Sequence, residues 1–377
     1  MFPSRSLTRQ TALLVLSVLV PSASATLGTS CCGDNFCCSI MSDNSVSCWG
    51  GNSFSAPSGS FQYLTCDGKA GIAVSEDLTI SNCFGTSGYG AEGCTTGAKI
   101  IDASVGFWGG CRINDGGALT CWGKDTVYGY NSRPTASECS SLGLSDCSAV
   151  STTLSPPSGN FKTVACGGKR AGHFCCAVAA DPGPVSCFGA GSESYTPSTS
   201  VTNVHQLSCG YNFCCAVLGD GSGSCFGDLD QSDSSGSDLP STLQGDFAQV
   251  ACGSYACYFL ATDGSMSAYG RVFSRSVGPV PSGTDTTALP SSSGWAAVPT
   301  HGGFGHACAV TSGLKMSCWG ANYSDQVTDA PSGETANPSG RSVPEALGAS
   351  SSGSSLKYPG GLALVCWLLP LLVQNVQ

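Results

Sequence analysis

Cysteine is the reactive residue type that dominates this sequence: the 377-residue chain holds 25 of them against four histidines. Vicinal pairs recur, as in Cys37-Cys38, Cys175-Cys176 and Cys214-Cys215. Successive strand residues face opposite sides, so the two members of a pair must serve two separate partners. The second member stands ten or eleven residues ahead of another cysteine, which predicts hairpin bridges Cys38–Cys48, Cys176–Cys187 and Cys215–Cys225. Cys111–Cys121 and Cys308–Cys318 repeat that spacing without a doublet. The first member reaches back across the preceding glycine turn, giving Cys32–Cys37, Cys166–Cys175, Cys209–Cys214 and Cys252–Cys257.

Absences obey the same scheme. Tyr258 and Ala268 replace both halves of one hairpin bridge, while Val105 with Gly110 and Gly302 with Ala307 replace both halves of a turn bridge. The second unit departs from it, because Cys66 and Cys83 face Gly71 and Ile72. Cys139–Cys147 is expected as a further pair, and Cys31, Cys66, Cys83 and Cys94 stay unassigned. Zinc could use a cysteine array, but histidine is scarce and a secreted chain favours disulfides, so no metal site is expected.

Other chemistry finds no foothold. There is no Gly-x-Ser-x-Gly elbow, His-Glu-x-x-His or phosphate loop, so catalytic and cofactor-binding residues are both expected to be none. His173 and His205 have no fixed companion acid or nucleophile, and His306 replaces an aromatic of the repeat, which reads as core packing. The acidic run Asp228–Asp238 lacks a glycine at its sixth position and has Leu239 where a calcium loop needs glutamate, so it reads as solvated. Asn322-Tyr-Ser324 is a glycosylation sequon.

The elements that must hold these cysteines repeat as well. Seven units close on an aromatic followed by glycine: Trp49, Phe84, Trp122, Phe188, Phe226, Tyr269 and Trp319. Their spacing is 35 to 50 residues, except for 66 between Trp122 and Phe188, where an insert occupies 124–156. Turns such as Asn114-Asp-Gly-Gly117, Asp220-Gly221 and Asp263-Gly264 join short β runs, and Asp there reads as turn chemistry. No helical periodicity appears outside the leader. The fold class is therefore all-β, a seven-bladed, disulfide-rich propeller whose repeated aromatics pack between blades.

Charged residues make up only 11% of the chain, and acidic exceed basic by 25 to 15. A net charge of −10 repels a phosphate backbone, which argues against nucleic acid as a partner. Residues 1–25 read as a secretory leader, with Arg5 and Arg9, an apolar run Ala12–Val20 and the cleavage pattern Ala23-Ser24-Ala25. At the other end, small residues, a polar spacer and an apolar tail match a GPI-attachment signal over 351–377, with the attachment residue in Gly348–Gly353. Cys366 would leave with that tail, so an even 24 cysteines remain. The propeller is expected over 26–325, followed by a Ser/Pro/Gly-rich stalk at 326–350.

The seventh unit, Gly302-Gly-Phe-Gly-His-Ala-Cys-Ala-Val310 followed by Met316-Ser-Cys-Trp-Gly320-Ala-Asn322, resembles the repeat of the RCC1/BLIP-II superfamily of seven-bladed β-propellers. Similar units run through residues 27–325. The resemblance implies a ring of blades whose loops bind proteins, and it transfers no activity. The expected function is a non-enzymatic binding module at the cell surface, a monomer with a protein or glycan partner, touching the membrane through a lipid anchor only. The 124–156 insert is the expected contact. The rival readings are a secreted hydrolase inhibitor, as in the bacterial relative that inhibits β-lactamases, and a secreted enzyme with an unrecognised site.

Overall fold

Seven antiparallel sheets follow one another along the chain, each made of consecutive strands. The computed structural model describes residues 28–51, 55–86, 91, 93–123, 154–169, 172–180, 183–189, 195–197, 201–230, 238–270, 293–322 and 324–338. All lie in the compact unit Met1–Leu347. The leader (1–25), residues 124–153 with the Cys139–Cys147 pairing, and the anchor signal (351–377) lie outside the described residues.

Blade 1 consists of Ser30–Cys32, Phe36–Ile40 and Val46–Gly50; blade 2 of Tyr63–Asp67, Ala70–Val74 and Ile80–Gly85. Blade 3 is Ile100–Val105, Gly109–Asn114 and Leu119–Gly123; blade 4 is Phe161–Lys169, Gly172–Ala179 and Val185–Gly189. Blade 5 is Val204–Cys209, Phe213–Leu218 and Gly223–Gly227, with a short fourth strand Thr242–Leu243. Blade 6 is Phe247–Cys252, Ala256–Ala261 and Met266–Gly270; blade 7 is Trp295–Ala297, His306–Thr311 and Met316–Gly320. The first strand of each blade packs against the first strands of its neighbours, so these strands surround the ring axis. The ring closes where Thr300 N–H donates to Ser30 O and Cys32 N–H donates to His301 O (2.8 and 2.9 Å). This is the seven-bladed propeller expected from the repeat.

Local chemistry explains the blade. The hairpin between second and third strands is held by an acidic side chain: Asp43 Oδ1 accepts from Ser45 N–H and Oγ–H, and Asp220 Oδ1 does the same with Ser222. Blade 3 uses Asn114, whose Oδ1 accepts from Gly116 and Ala118 N–H. The glycine after each repeated aromatic has positive φ in all seven blades, from +89° at Gly270 to +142° at Gly123. A Cβ at Gly227 would lie 2.7 Å from Asn212 O, so both conformation and space require glycine.

The nine turn and hairpin pairings read from spacing are disulfides between directly paired strand residues, Cys209–Cys214 and Cys215–Cys225 among them. Two further bridges settle the unassigned cysteines. Cys31–Cys66 joins blade 1 to blade 2, and Cys83–Cys94 ties the third strand of blade 2 to the loop after it. Stapling is therefore not confined within blades. Such a set of disulfides persists in an oxidising compartment.

Their arrangement follows the seams between blades. The hairpin bridge of one blade touches the turn bridge of the next, with sulfur to sulfur 3.5 Å for Cys111 and Cys175, 3.5 Å for Cys176 and Cys214, 3.2 Å for Cys215 and Cys257, and 3.4 Å for Cys308 and Cys37. The absences coincide in the same way. At the seam between blades 6 and 7 neither bridge exists, and Tyr258 meets Trp319 edge-on at 5.3 Å instead. Between blades 2 and 3 both bridges are likewise missing, and Ile72, Val105 and Trp122 share one apolar cluster. Polar groups stitch other seams: Gln206 Oε1 accepts from Val250 N–H (2.7 Å), Gln249 Oε1 from Val298 N–H (3.0 Å), and buried Asp102 from Val164 N–H and the Thr163 hydroxyl.

Residues 326–337, expected to begin a stalk, instead pack on the ring. Gln326 is fully buried and its carbonyl accepts from Trp49 Nε1–H (2.9 Å). Thr335 pairs with Met41, and Ala336 N–H donates to Ile40 O, which covers the strand edge of blade 1. An exposed edge offers unpaired backbone groups, and this segment satisfies them.

Candidate functional site

Seven turns, each joining the first to the second strand of a blade, gather at one end of the axis. Backbone hydrogen bonds link them from blade to blade. Gly168 N–H donates to Gly210 O (3.0 Å), Tyr211 N–H to Ser254 O (3.4 Å), and Ser254 N–H to Gly303 O (3.3 Å). Phe304 N–H then donates to Gly33 O (3.4 Å) and Asp34 N–H to Gly68 O (2.7 Å). Five of the seven steps round the ring are thus main-chain bonds running the same way. The turns are short and glycine-rich because a side chain would collide with the next turn; a Cβ at Gly210 would lie 2.4 Å from Gly253 O.

On this ring stand three half-buried aromatics from consecutive blades, Tyr211, Tyr255 and Phe304. Their centroids are 5.0 Å apart for Tyr211 and Tyr255, and 5.7 Å for each of the other two pairs. The rings are mutually inclined at 53° to 72°, so they form a cup rather than a stack. Burial first, then the neighbouring Tyr255, Asp34 and Asp67, push the Tyr211 phenol well above its ordinary range, while a hydrogen bond with the Ser254 side chain opposes them. The potential at the cup is therefore negative.

Asp67 lies beneath the cup, buried, with Oδ1 3.5 Å from His301 Nδ1 and bonded to Gly68 N–H. Burial raises its carboxyl above the usual range, and His301 works against that shift. Nearby His306 is buried, with Nε2 3.4 Å from Phe36 O. Desolvation lowers its pKa to about 4, so it is neutral at pH 7. His173 is also buried and lowered to about 4, with Nδ1 3.2 Å from Gly167 O. Sulfurs of Cys32 and Cys37 lie close to His306, but both are committed to a disulfide and offer no thiolate.

The residues singled out from sequence are distributed elsewhere. Trp49, Phe84, Trp122, Phe188, Phe226 and Trp319 are buried between blades and Tyr269 is partly buried, as core packing requires. His205 is partly buried and away from the cup's ring contacts. Asp228 accepts from the Asn212 side chain, and residues 231–237 of the acidic run lie outside the described residues. Asn322 is partly buried, its Oδ1 accepting from Val327 N–H (2.9 Å) and its Nδ2 donating to Thr328 Oγ1 (3.4 Å). Sequence reasoning missed Tyr211, Tyr255, Phe304, Asp67 and His301. The available signal was their shared place, one to three residues after the first strand of each unit, which a closed ring brings together.

No family model and no curated protein matches this chain. Among solved structures, it is similar to the CRINKLY WD40 ectodomain of the Arabidopsis thaliana receptor kinase ACR4, at 18% identity and a TM-score of 0.58, covering 81% of this chain and 98% of that one. It is also similar to the ectodomain of the Physcomitrella patens receptor kinase CR4 (19% identity, 79% and 74% covered, TM-score 0.49). A third is Prp20p of Saccharomyces cerevisiae (14%, 73% and 75%, TM-score 0.49). The likeness to the Arabidopsis ectodomain shows the fold and only the fold.

Proposed function

We propose that this protein is a non-enzymatic binding module that works outside the cell, tethered by a lipid anchor, and that it grips a protein partner through the axial turns. The observation carrying this reading is the cup of Tyr211, Tyr255 and Phe304. Large, half-exposed aromatics on a rigid frame supply contact area at little entropic cost. Here the frame is a hydrogen-bonded ring of turns fixed behind by Cys209–Cys214 and Cys252–Cys257. The Arabidopsis fold-mate is a receptor kinase ectodomain, so the same scaffold faces the cell exterior there. The GPI tether rests on the C-terminal residue pattern, and the 124–156 insert is the second contact.

The test is capture of partners from the native cell surface by the secreted chain. The double variant Tyr211→Ala with Phe304→Ala should lose the partner while keeping its thermal transition. Deleting residues 124–153 should weaken capture further or leave it partial. Undiminished capture by the cup variant would refute the axial site. Release of the native protein by a phosphatidylinositol-specific phospholipase is the expected result for the anchor.

A further inference from the structure

We propose that the axial cup receives an arginine side chain presented by the partner polypeptide; this rests on the binding reading above and names its chemistry. Three features point to a guanidinium. The rings of Tyr211, Tyr255 and Phe304 lie within 5.7 Å of one another, so a planar cation entering the cup meets more than one π face. Inclination keeps those faces from being covered by parallel stacking on one another. Carboxylates supply the second feature: Asp34 follows Gly33, whose carbonyl is bonded to Phe304 N–H, and Asp67 sits one blade further round. Both act electrostatically on the Tyr211 ring. The third is the acceptor set of the turns, where the Ser254 and Gly303 carbonyls already point along the ring of hydrogen bonds.

The other titratable groups at this end are His301, held by Asp67, and Lys69 in the blade 2 turn. Neither is among the groups acting on Tyr211, so they leave the cup itself negative. Lysine carries the same charge, but arginine alone combines a flat face for stacking with a fork for carboxylate and carbonyl oxygens. The net charge of −10 draws a basic partner toward the ring in the same sense.

The experiment uses the full secreted chain with 13C-labelled Tyr and Phe rings. It is titrated with the peptide Gly-Ser-Gly-Arg-Gly-Ser-Gly and with its citrulline and lysine counterparts. Arginine should shift the Tyr211, Tyr255 and Phe304 ring signals saturably, with citrulline, the neutral isostere, about tenfold weaker or more and lysine between them. Phe304→Leu, which keeps an apolar side chain and removes the π face, and Asp34→Asn should each weaken arginine binding several-fold while the thermal transition stays put. Equal shifts from arginine and citrulline, or no shift from either, would overturn the assignment. If the cup variant still loses the native partner in that case, the axial site stands and only its arginine chemistry falls. Arginine binding with undiminished native capture would leave the cation site standing and remove the axial docking reading.

Discussion

Cys257 Sγ lies 3.2 Å from Cys215 Sγ, although each is bonded to a different cysteine in a different blade. The contact shows that the disulfides come as seam units: the hairpin bridge of one blade and the turn bridge of the next are buried against each other. The period of two in a strand produces this, since Cys214 and Cys215 point to opposite seams. Removing one bridge should then cost more than its own loop constraint. Replacing Cys215 and Cys225 together by alanine loses about 3 kcal/mol of loop entropy for a ten-residue span. It also leaves Cys252–Cys257 facing a void, which adds a cavity term of about 1 kcal/mol or more. Non-reducing thermal melts should show a drop of more than 5 °C, roughly. Conversely, Tyr258→Cys with Ala268→Cys builds the missing hairpin bridge at the seam of blades 6 and 7. It should lower the melting temperature, because Trp319 already packs against Tyr258 there.

Buried imidazoles make the ring acid-sensitive. His173 and His306 have folded pKa values of about 4, against 6.5 when unfolded. Between those values the unfolded chain binds protons that the folded one refuses, so stability falls as pH drops from 6.5 to 4 and levels off below. Each histidine contributes up to about 3 kcal/mol to that fall. His306 opposes Gly320 just as Phe36, Phe174 and Phe213 oppose Gly50, Gly189 and Gly227, so phenylalanine is the resident of this register in three other blades. His306→Phe should therefore raise the denaturation midpoint and reduce its slope between pH 6.5 and 4. An unchanged slope would show that His306 is not the titrating group.

A second acid step belongs to the hairpins. Hydrogen bonds from serine and threonine hold Asp43, Asp220 and Asp263 below the usual carboxylate range, and Asp77 at about 2. A lowered carboxyl stabilises the folded state above its unfolded pKa of 3.8, and that contribution is lost as pH falls through the folded value. Hairpin opening should thus follow the histidine step, below about pH 4. Hydrogen exchange of Ser45, Ser222 and Ser265 amides, which donate to these carboxylates, should rise in that range. Asp220→Asn, which keeps the acceptor without the charge, should remove the rise at Ser222 alone.

Much of this molecule was legible because its strongest signals are local. Ten- and eleven-residue cysteine spacings fix hairpin register, and aromatic-glycine endings mark the third strand of every blade. What failed to read was set by ring closure. Cys31 and Cys66 are 35 residues apart and meet only because blades 1 and 2 are adjacent. Residues 326–337 have a stalk-like composition, yet Thr335 and Ala336 complete the edge beside Met41 and Ile40. Tyr211, Tyr255 and Phe304 occupy ordinary turn positions one unit at a time, and their convergence is a property of the axis. A blade-by-blade reading is blind to that.

The glycine that follows each repeated aromatic offers a test with its own control. Gly227 has φ +102°, and a Cβ would sit 2.7 Å from Asn212 O and 2.8 Å from Phe213 Cα, both backbone atoms that cannot yield without moving the axial turn. Gly294 has φ +89° with nothing within 4 Å of the same hypothetical atom. Gly294→Ala should therefore cost only the conformational penalty, about 1 to 2 kcal/mol. Gly227→Ala adds a backbone collision and should exceed it, at about 3 kcal/mol or more. Because Asn212 neighbours Tyr211, the displaced turn should also shift the Tyr211 ring signals, which Gly294→Ala leaves in place. Equal destabilisation by the two substitutions would mean that φ alone, and not the approach of the turn, holds glycine at the end of each blade.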